Sequence, residues 1–271
     1  MCGICGELRF DGRAADLTAV QRMTERLVRR GPDHGGSFSD GSLAFGHRRL
    51  AIIDLSEHSN QPLVDQELGL ALVFNGTIYN YRELRRELLG RGYHFFSSGD
   101  SEVILKAWAE WGEACVEHLH GMFSFAIWDE GAARLFLARD RLGIKPLYYT
   151  RDGARLRFAS TPQALLAAGG VDCDIDPVAL HHQFTLHAVI PAPRTILKGV
   201  RKLAPACTLS VDSGGESRER RYWRFSAARP EESLSEAEWL EAIHRELREG
   251  RWLSSKCAGT VMTAFRMVLP K

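Results

Sequence analysis

The sequence lacks an excess of charge, a long apolar run and any internal repeat, and each absence excludes a class of protein. Its 271 residues hold 35 lysines and arginines against 34 aspartates and glutamates, for a formal net charge of +1. This balance gives no electrostatic reason to expect nucleic acid or an anionic membrane as partner, and it favours a small neutral substrate. No apolar run approaches the roughly 20 residues of a transmembrane helix, and the N-terminus lacks a signal-peptide pattern. We therefore expect a cytoplasmic protein.

Cysteine is scarce, and the scattered positions exclude a disulfide framework and a structural zinc site. The six are Cys2, Cys5, Cys115, Cys173, Cys207 and Cys257. A chain of this length has no need of disulfides, so reduced thiols are expected. The spacing of Cys2 and Cys5 would suit zinc or a redox couple, but a structural zinc site needs a second close pair of ligands, which the sequence does not offer. We expect no metal site.

One cysteine stands in an unusual place, directly after the initiator methionine. Removal of Met1 would leave Cys2 with a thiol and a free α-amine on one residue, and an amine of pKa about 7.7 to 8.0 is well matched to accept the proton of a thiol of pKa about 8.5. The alternative is that Cys2 is a small apolar residue at the start of a strand. Taken alone, this position favours the second interpretation.

Short apolar runs joined by turn-length connections predict antiparallel strands separated by helices. The predicted strands read CGELRF, SLAFGHRRLAII, LALVFNG, MFSFAIWD, RLFLARD, PLYYT and LRFAS. Three helices are predicted: one capped by Asp16 with Leu17, Val20, Leu27 and Val28 on one face, one capped by Asn80 with Glu83, and one beginning at Asp100 that buries Val103, Ile104, Ala107, Trp108 and Trp111. This mixture predicts an α+β domain of layered sheets and helices.

The composition changes after residue 212, which predicts a domain boundary. A polar, turn-rich stretch leads to a capping box at Ser235 and Glu238 and to a helical pattern that stops at Glu249. The last 22 residues have no clean period and too little apolar surface for a domain. We expect a folded domain over residues 2–212, followed over 213–271 by a linker, a helix and a poorly ordered tail.

Several motifs together resemble one family. They read MCGICG, RRGPDHGG, GHRRLAIIDLS, QPL, FNGTIYNYREL, GDSEVILKAW, GMFSFAIWD and ARDRLGIKPLYY. In this order the sequence resembles, to about residue 250, the glutamine-hydrolysing domain of asparagine-synthetase-like amidotransferases. The stretch ALHHQFTLHAVIPAPRTILKGVRKL is most similar to the N-acetylglutaminylglutamine amidotransferase branch. The resemblance implies an N-terminal-nucleophile hydrolase, built as a four-layer α/β/β/α sandwich of antiparallel sheets, with glutamine as substrate and with a homodimer through this domain among the assemblies it allows.

The resemblance also implies a role for particular residues. Cys2 would be the nucleophile, Asn75 and Gly76 would donate to the oxyanion, and Arg49, Ile52, Ile53 and Asp100 would bind substrate, Arg49 at the α-carboxylate and Asp100 at the α-ammonium. Each role has an alternative. Asn75-Gly76 alone would read as a hairpin turn, Arg49 as a solvated strand edge and Asp100 as a helix N-cap.

Two departures from the family pattern bear on function. Thr77 stands where most asparagine synthetases have a glutamate that faces the α-ammonium group. The sequence also lacks the SGGxDS loop of the ATP-binding synthetase domain, since SGGES at Ser213–Ser217 reads as a turn. ATP and magnesium are thus expected only for a missing synthetase domain, and a truncation or frameshift is the leading hypothesis for the tail. The alternative to a glutaminase is an idle remnant that serves at most as a binding or regulatory subunit.

Overall fold

Two six-stranded antiparallel sheets form the centre of the molecule. The computed structural model describes residues 1–225 and 235–257, with side chains in the second segment as far as residue 248. The first sheet has the order β10 (Arg201–Lys202), β8 (Tyr148–Arg151), β9 (Arg155–Ala159), β1 (Gly3–Arg9), β3 (Leu43–Arg49), β2 (His34–Asp40). The second has the order β12 (Ser217–Arg221), β11 (Cys207–Asp212), β7 (Arg134–Arg139), β6 (Gly121–Asp129), β5 (Leu70–Ile78), β4 (Leu63–Asp65).

Seven α-helices accompany the sheets in the described part of the chain. They are α1 (Leu17–Arg26), α2 (Tyr81–Gly90), α3 (Asp100–Trp111), α4 (Cys115–His118), α5 (Pro162–Ala168), α6 (Pro177–Thr185) and α7 (Glu236–Cys257), with short 3-10 turns at Glu57–Ser59 and Gly112–Ala114. The predicted α+β class is confirmed. All seven predicted strands are present, whereas β2, β4, β10, β11 and β12 were not predicted. Four of these are polar or short edge strands, which carry a weak alternation signal. β11 is an inner strand that was missed although five of its six residues are buried.

Three apolar clusters separate the layers, and side-chain alternation along the strands assigns each residue to one of them. Ile4 and Val73 lie in the cluster between the two sheets. Cys5 packs with α1 and α5 on the outer face of the first sheet, and Phe74 packs with α2 and α3 on the outer face of the second. The predicted four-layer α/β/β/α sandwich is therefore confirmed.

The three predicted helices begin where expected, but one predicted cap and part of one predicted buried face are wrong. Asp16 caps α1 as predicted, by accepting from Ala19 N at 2.9 Å, but Leu17 and Val28 are exposed while Ala19 and Met23 are buried. Asn80 does not form the capping box with Glu83. Its amide instead bridges two backbone groups near α4, donating to His118 O and accepting from His120 N, each at 2.9 Å. Tertiary partners here replace the local cap.

The second sheet extends beyond residue 212, where the domain was expected to end. β12 pairs with β11 along Cys207–Val211, and SGGES forms the turn that joins them. α7 continues past Glu249 to Cys257, because a single Gly250 costs a helix only about 1 kcal/mol. The tail expected to be poorly ordered began at Gly250, so the expectation is wrong for residues 250–257, and residues 258–271 lie outside the described residues. Among the described helices none is long and apolar enough to cross a membrane.

Candidate active site

Cys2 lies at the end of the central strand of the first sheet, facing the second sheet. β1 pairs with β3 in a register that sets Gly3 opposite Arg48, so Cys2 and Arg49 follow at the same end. Ile4 faces the inter-sheet cluster, and the alternation of side chains turns Cys2 to the same side. The thiol accepts from Leu50 N at 3.3 Å and donates to Leu50 O at 3.7 Å. The sulfur is thus fixed by the chain that leaves β3.

The environment of Cys2 holds the thiol in its protonated form. Burial raises the pKa of the thiol, and the negative charge of Asp100 acts in the same direction. The backbone bond to Leu50, the N-terminal amine and Arg49 each lower that pKa, but burial is the largest effect. A thiolate is the reactive form, so a nucleophile in this position requires a base.

Asn75 brings an amide to the same space. Val73 belongs to the inter-sheet cluster and Phe74 to the outer one, so Asn75 faces between the sheets, as Cys2 does. The residue is 1% exposed, and its Nδ2 has no hydrogen-bond partner among the described residues. An unpartnered buried donor is costly and is retained where a ligand completes it.

The backbone N–H of Gly76 points to the open edge of β5. The flanking N–H groups on that edge have acceptors: Phe74 N donates to Gln61 Oε1 at 2.6 Å, and Ile78 N donates to Asp100 Oδ2 at 3.0 Å. Strand alternation aims the N–H of Gly76 in the same direction, where no described residue accepts from it. The hairpin-turn alternative is wrong, because Asn75 and Gly76 lie inside a nine-residue strand.

Glycine at position 76 is required by packing. A Cβ there would lie 2.3 Å from Met122 O and 2.8 Å from Phe123 Cα on the neighbouring strand β6. Such distances are impossible without moving the backbone. The close approach that demands glycine is therefore to β6.

His47 fixes the strand that carries the two donors. Its Nε2 lies 3.2 Å from Phe74 O, so His47 and Gln61 together complete the hydrogen bonding of the residue before Asn75. The imidazole is fully buried, and burial lowers its pKa to about 3. A neutral imidazole that donates from Nε2 fits this contact.

Arg49 is buried and its guanidinium is partly occupied. Nη1 donates to Ser56 O at 2.8 Å and to Asn60 Oδ1 at 2.7 Å, and Nη2 donates to Asp54 O. A guanidinium has five N–H donors, so Nε–H and one Nη2–H remain for a ligand. These neighbouring donors match a carboxylate, and the solvated-edge alternative is wrong because Arg49 is 7% exposed.

Asp100 is the first residue of α3, and Gly99 is the N-cap. The helix therefore begins where predicted, and the alternative of Asp100 as its N-cap is wrong. The carboxylate accepts from Ile78 N, on the same strand β5 that carries Gly76. Burial raises the pKa of this carboxyl to about 6, against the lowering effect of its backbone hydrogen bonds.

The remaining predicted residues lie in two places. Ile52 is exposed and Ile53 packs against the outer cluster of the second sheet, both in the loop that carries the partners of Arg49. Thr77 follows Gly76 on β5 and is half-buried. A threonine there brings no charge, so Asp100 and not residue 77 supplies negative charge at this edge.

Two cations near the N-terminus were not predicted. Arg30 donates from Nε to Cys2 O at 3.0 Å, and Lys145 donates from Nζ to Met1 Sδ at 3.1 Å. Their motifs, RRGPD and RLGIKPLYY, carried the family resemblance, but no local pattern connects them with Cys2. Only the fold brings them to it.

The chain also matches known proteins. Residues 1–223 match the family described as glutamine amidotransferase domain. This chain belongs to that family. It is 36% identical over 239 residues to asparagine synthetase [glutamine-hydrolyzing] 3 of Bacillus subtilis (strain 168), covering 87% of this chain and 39% of that protein. It is 37% identical over 251 residues to asparagine synthetase [glutamine-hydrolyzing] 1 of the same organism, covering 90% and 39%.

The amidotransferase domain therefore spans about two fifths of the length of these relatives. Its fold is similar to that of the glutamine phosphoribosylpyrophosphate amidotransferase of B. subtilis, with a TM-score of 0.60 and 20% identity over 82% of this chain and 49% of that one. The predicted resemblance to asparagine-synthetase-like amidotransferases is confirmed. The N-acetylglutaminylglutamine branch, the homodimer and the cytoplasmic location stay predictions.

Proposed function

We propose that this amidotransferase domain hydrolyses the side-chain amide of glutamine to glutamate and ammonia, with Cys2 as nucleophile after removal of Met1. The observation that carries the proposal is that a half-buried thiol and two donors without a partner among the described residues, Asn75 Nδ2 and Gly76 N–H, lie at the same end of two facing sheets. Met1 precedes β1 and its side chain is 54% exposed, which favours access for its removal.

The proposed reaction begins with proton transfer from the Cys2 thiol to its own α-amine. The thiolate attacks the amide carbon, and the amide oxygen becomes an oxyanion that accepts from Asn75 Nδ2 and Gly76 N–H. Collapse of this intermediate breaks the C–N bond, and the α-ammonium returns its proton to the departing ammonia. Water, deprotonated by the same amine, then attacks the thioester, releasing glutamate and restoring the thiol.

Recognition of glutamine requires both signs of charge. The free Nε–H and Nη2–H of Arg49 suit the α-carboxylate, and the buried carboxylate of Asp100 suits the α-ammonium. Arg49 and Asp100 both lie close enough to Cys2 for their charges to influence its thiol. This supports one site for binding and chemistry.

The test compares three forms of the protein: one beginning at Cys2, one that retains Met1, and a Cys2→Ala variant. Only the first should release glutamate and ammonia in equal amounts, because only it has both thiol and free α-amine on residue 2. The matched control is Cys173→Ser, which removes an exposed thiol bonded only to Val171 O and should leave the rate unchanged.

Equal turnover in the Met1-retaining form would contradict the amine as base. Absence of turnover in the Cys2 form would favour the alternative of a catalytically idle chain. A glutamine analogue with an electrophilic side chain also distinguishes an active Cys2 nucleophile from a catalytically idle chain. It should add its mass to Cys2 and not to Cys173.

The amidotransferase domain by itself is proposed to lack ATP-dependent amide synthesis. The relatives are named as glutamine-hydrolysing asparagine synthetases and are more than twice as long. We assign ATP and magnesium, and the synthesis of an amide, to a second domain of that kind. Incubation with ATP, magnesium, glutamine and a carboxylate acceptor should give ammonia without acceptor-dependent release of AMP and pyrophosphate; such release would contradict this division.

A further inference from the structure

Lys145 is a buried lysine whose ammonium has no carboxylate partner within ion-pair distance among the described residues. The residue is 5% exposed, and within the described segments its Nζ donates only to the thioether of Met1, at 3.1 Å. A thioether is a weak acceptor, and a buried charge is costly unless it is paired. By contrast, the equally buried Lys106 forms an ion pair with Asp65.

The loop that carries Lys145 is built to hold it in place. Asp140 accepts from the backbone N–H groups of Leu142, Ile144 and Lys145 at 2.9 to 3.2 Å. Arg139 donates from Nε to Lys145 O at 2.9 Å. A rigid backbone on both sides of the residue fixes the direction of the side chain toward the N-terminus.

A second cation reinforces this arrangement. Arg30 donates to Cys2 O, and its Nη2 is buried without a described partner. Burial is the largest effect that lowers the pKa of the α-amine at Met1, and the charges of Arg30 and Lys145 lower it further. Both cations also lie close enough to the Cys2 thiol to influence it. Along the chain, the backbone nitrogen of Cys2 lies between the α-amine of Met1 and the Cys2 thiol.

We propose that Lys145 is a positioning residue for the amine base: once Met1 is removed, its ammonium faces the Cys2 α-amine and favours the uncharged, proton-accepting form by like-charge repulsion. This inference rests on the proposed function. It gives the buried charge a role, since Met1 holds the one acceptor of Nζ in the described part of the chain, and removal of Met1 leaves the ammonium beside the new N-terminus.

Other charged and titratable groups around the N-terminus also influence the protonation of the amine and the thiol. They are Arg30 and Asp33 near the amine, Arg49 and Asp100 near the thiol, Tyr148 near Arg30, and Asp140 near Lys145. Asp33 raises the pKa of the amine and is held by accepting from Ala51 N at 2.8 Å. The Cys2 thiol also raises the pKa of the amine, so Arg30 and Lys145 act against two groups of the opposite effect.

The test is the pH dependence of kcat/KM for glutamine in the form that begins at Cys2. Lys145→Met should move the acid-side limb upward by about half to one pH unit, a loss of about three- to tenfold at acid pH with little change above about pH 8.5. Lys145→Arg keeps the charge and should keep the limb of the wild type. The control is Lys202→Met, which removes a half-buried lysine bonded to Ile190 O.

A uniform loss of activity at every pH in Lys145→Met would overturn the proposal in favour of a structural role. Loss of activity in a folded Lys145→Arg would overturn it as well, because the lysine would then act as a base itself. Thermal melting identifies a variant that fails to fold, and Lys145→Gln then replaces Lys145→Met.

A second readout does not depend on glutamine hydrolysis. In the Cys2→Ala background, the pH at which the α-amine reacts half-maximally with an amine-selective acylating reagent is followed by mass spectrometry of the N-terminal peptide. Lys145→Met should raise that pH by the same half to one unit. No shift would overturn the role of Lys145 even where the wild type is active, and an inactive wild type that shows the shift would overturn only the proposed function.

Discussion

The carboxylate of Asp100 has a hydrogen-bond partner and a raised pKa that the local sequence does not predict. The sequence around it reads as a helix start, yet the cap is Gly99 and the carboxylate accepts from the backbone of Ile78. Burial raises its pKa to about 6, because a charge in this buried position is costly without a cation beside it. The α-ammonium group of glutamine would restore a partner for that charge, which links binding to pH.

Affinity for glutamine is predicted to fall as the pH drops through about 6. The ammonium group requires the carboxylate form of Asp100, and below the pKa the fraction of that form decreases about tenfold per pH unit. Calorimetric titration of the Cys2→Ala variant between about pH 5 and 8 measures this without turnover. Adding Asp100→Asn should weaken binding at about pH 7.5 and remove the dependence; a dependence that persists would assign it to another group.

Among the secondary-structure elements, the end of β5 is a sheet edge whose backbone hydrogen bonds are made by side chains instead of a neighbouring strand. β4 pairs only with Leu70–Leu72, so the following residues of β5 have no neighbouring strand on that side. Gln61, His47 and Asp100 satisfy the backbone at Phe74 and Ile78, and the N–H of Gly76 is left for a ligand. Because side chains accept from the N–H groups of Phe74 and Ile78, this sheet edge presents the N–H of Gly76 as a single backbone donor.

His47→Gln is predicted to reduce the loss of stability in acid. The pKa of about 3 in the folded protein lies below the ordinary value of 6.5, so the unfolded chain takes up the proton first. The free energy of unfolding therefore decreases as the pH falls below about 6.5, by at most about 1.4 kcal/mol per pH unit from this group. Glutamine keeps a donor for Phe74 O but does not titrate.

Denaturant unfolding at several values from about pH 4.5 to 7 measures this slope. The control is His34→Gln, which replaces an exposed histidine on β2 of the same sheet and should leave the slope unchanged. Equal slopes in the wild type and His47→Gln would show that other groups carry the acid sensitivity.

At the scale of the whole molecule, a buried ion pair ties an outer helical layer to the first sheet. Glu7 on β1 is fully buried and accepts from Arg157 Nε on β9 and from Asp16 N before α1. Arg157 also donates to Gly169 O at the end of α5, at 2.8 Å. Two strands and two helices thus share one polar network in an apolar layer.

Arg157→Met is predicted to lower the free energy of unfolding by about 3 to 5 kcal/mol, because it leaves the carboxylate of Glu7 buried without its cation. Arg86→Met should cost less than about 1 kcal/mol, since its partner Glu83 is 58% exposed. Urea unfolding measures both. Adding Glu7→Gln to Arg157→Met should recover part of the loss, and purely additive costs would contradict the coupling.

The sequence alone predicts seven of the twelve described strands, the Asp16 cap and the family. These follow from alternation, local capping and contiguous motifs, all of which act over a few residues. The family resemblance indicated Cys2, Asn75, Gly76, Arg49 and Asp100 as site residues. The local alternatives, a hairpin turn at Asn75-Gly76 and a helix N-cap at Asp100, are wrong.

Only the tertiary structure decided how the edge of β5 is completed and which cations face the N-terminus. Lys145 and Met1 are 144 positions apart, and His47 reaches Phe74 from the opposite sheet. Such contacts depend on the register of β1 with β3 and on the packing of one sheet on the other. No local pattern encodes that packing, because it is set by the sum of apolar contacts across the interface between the sheets.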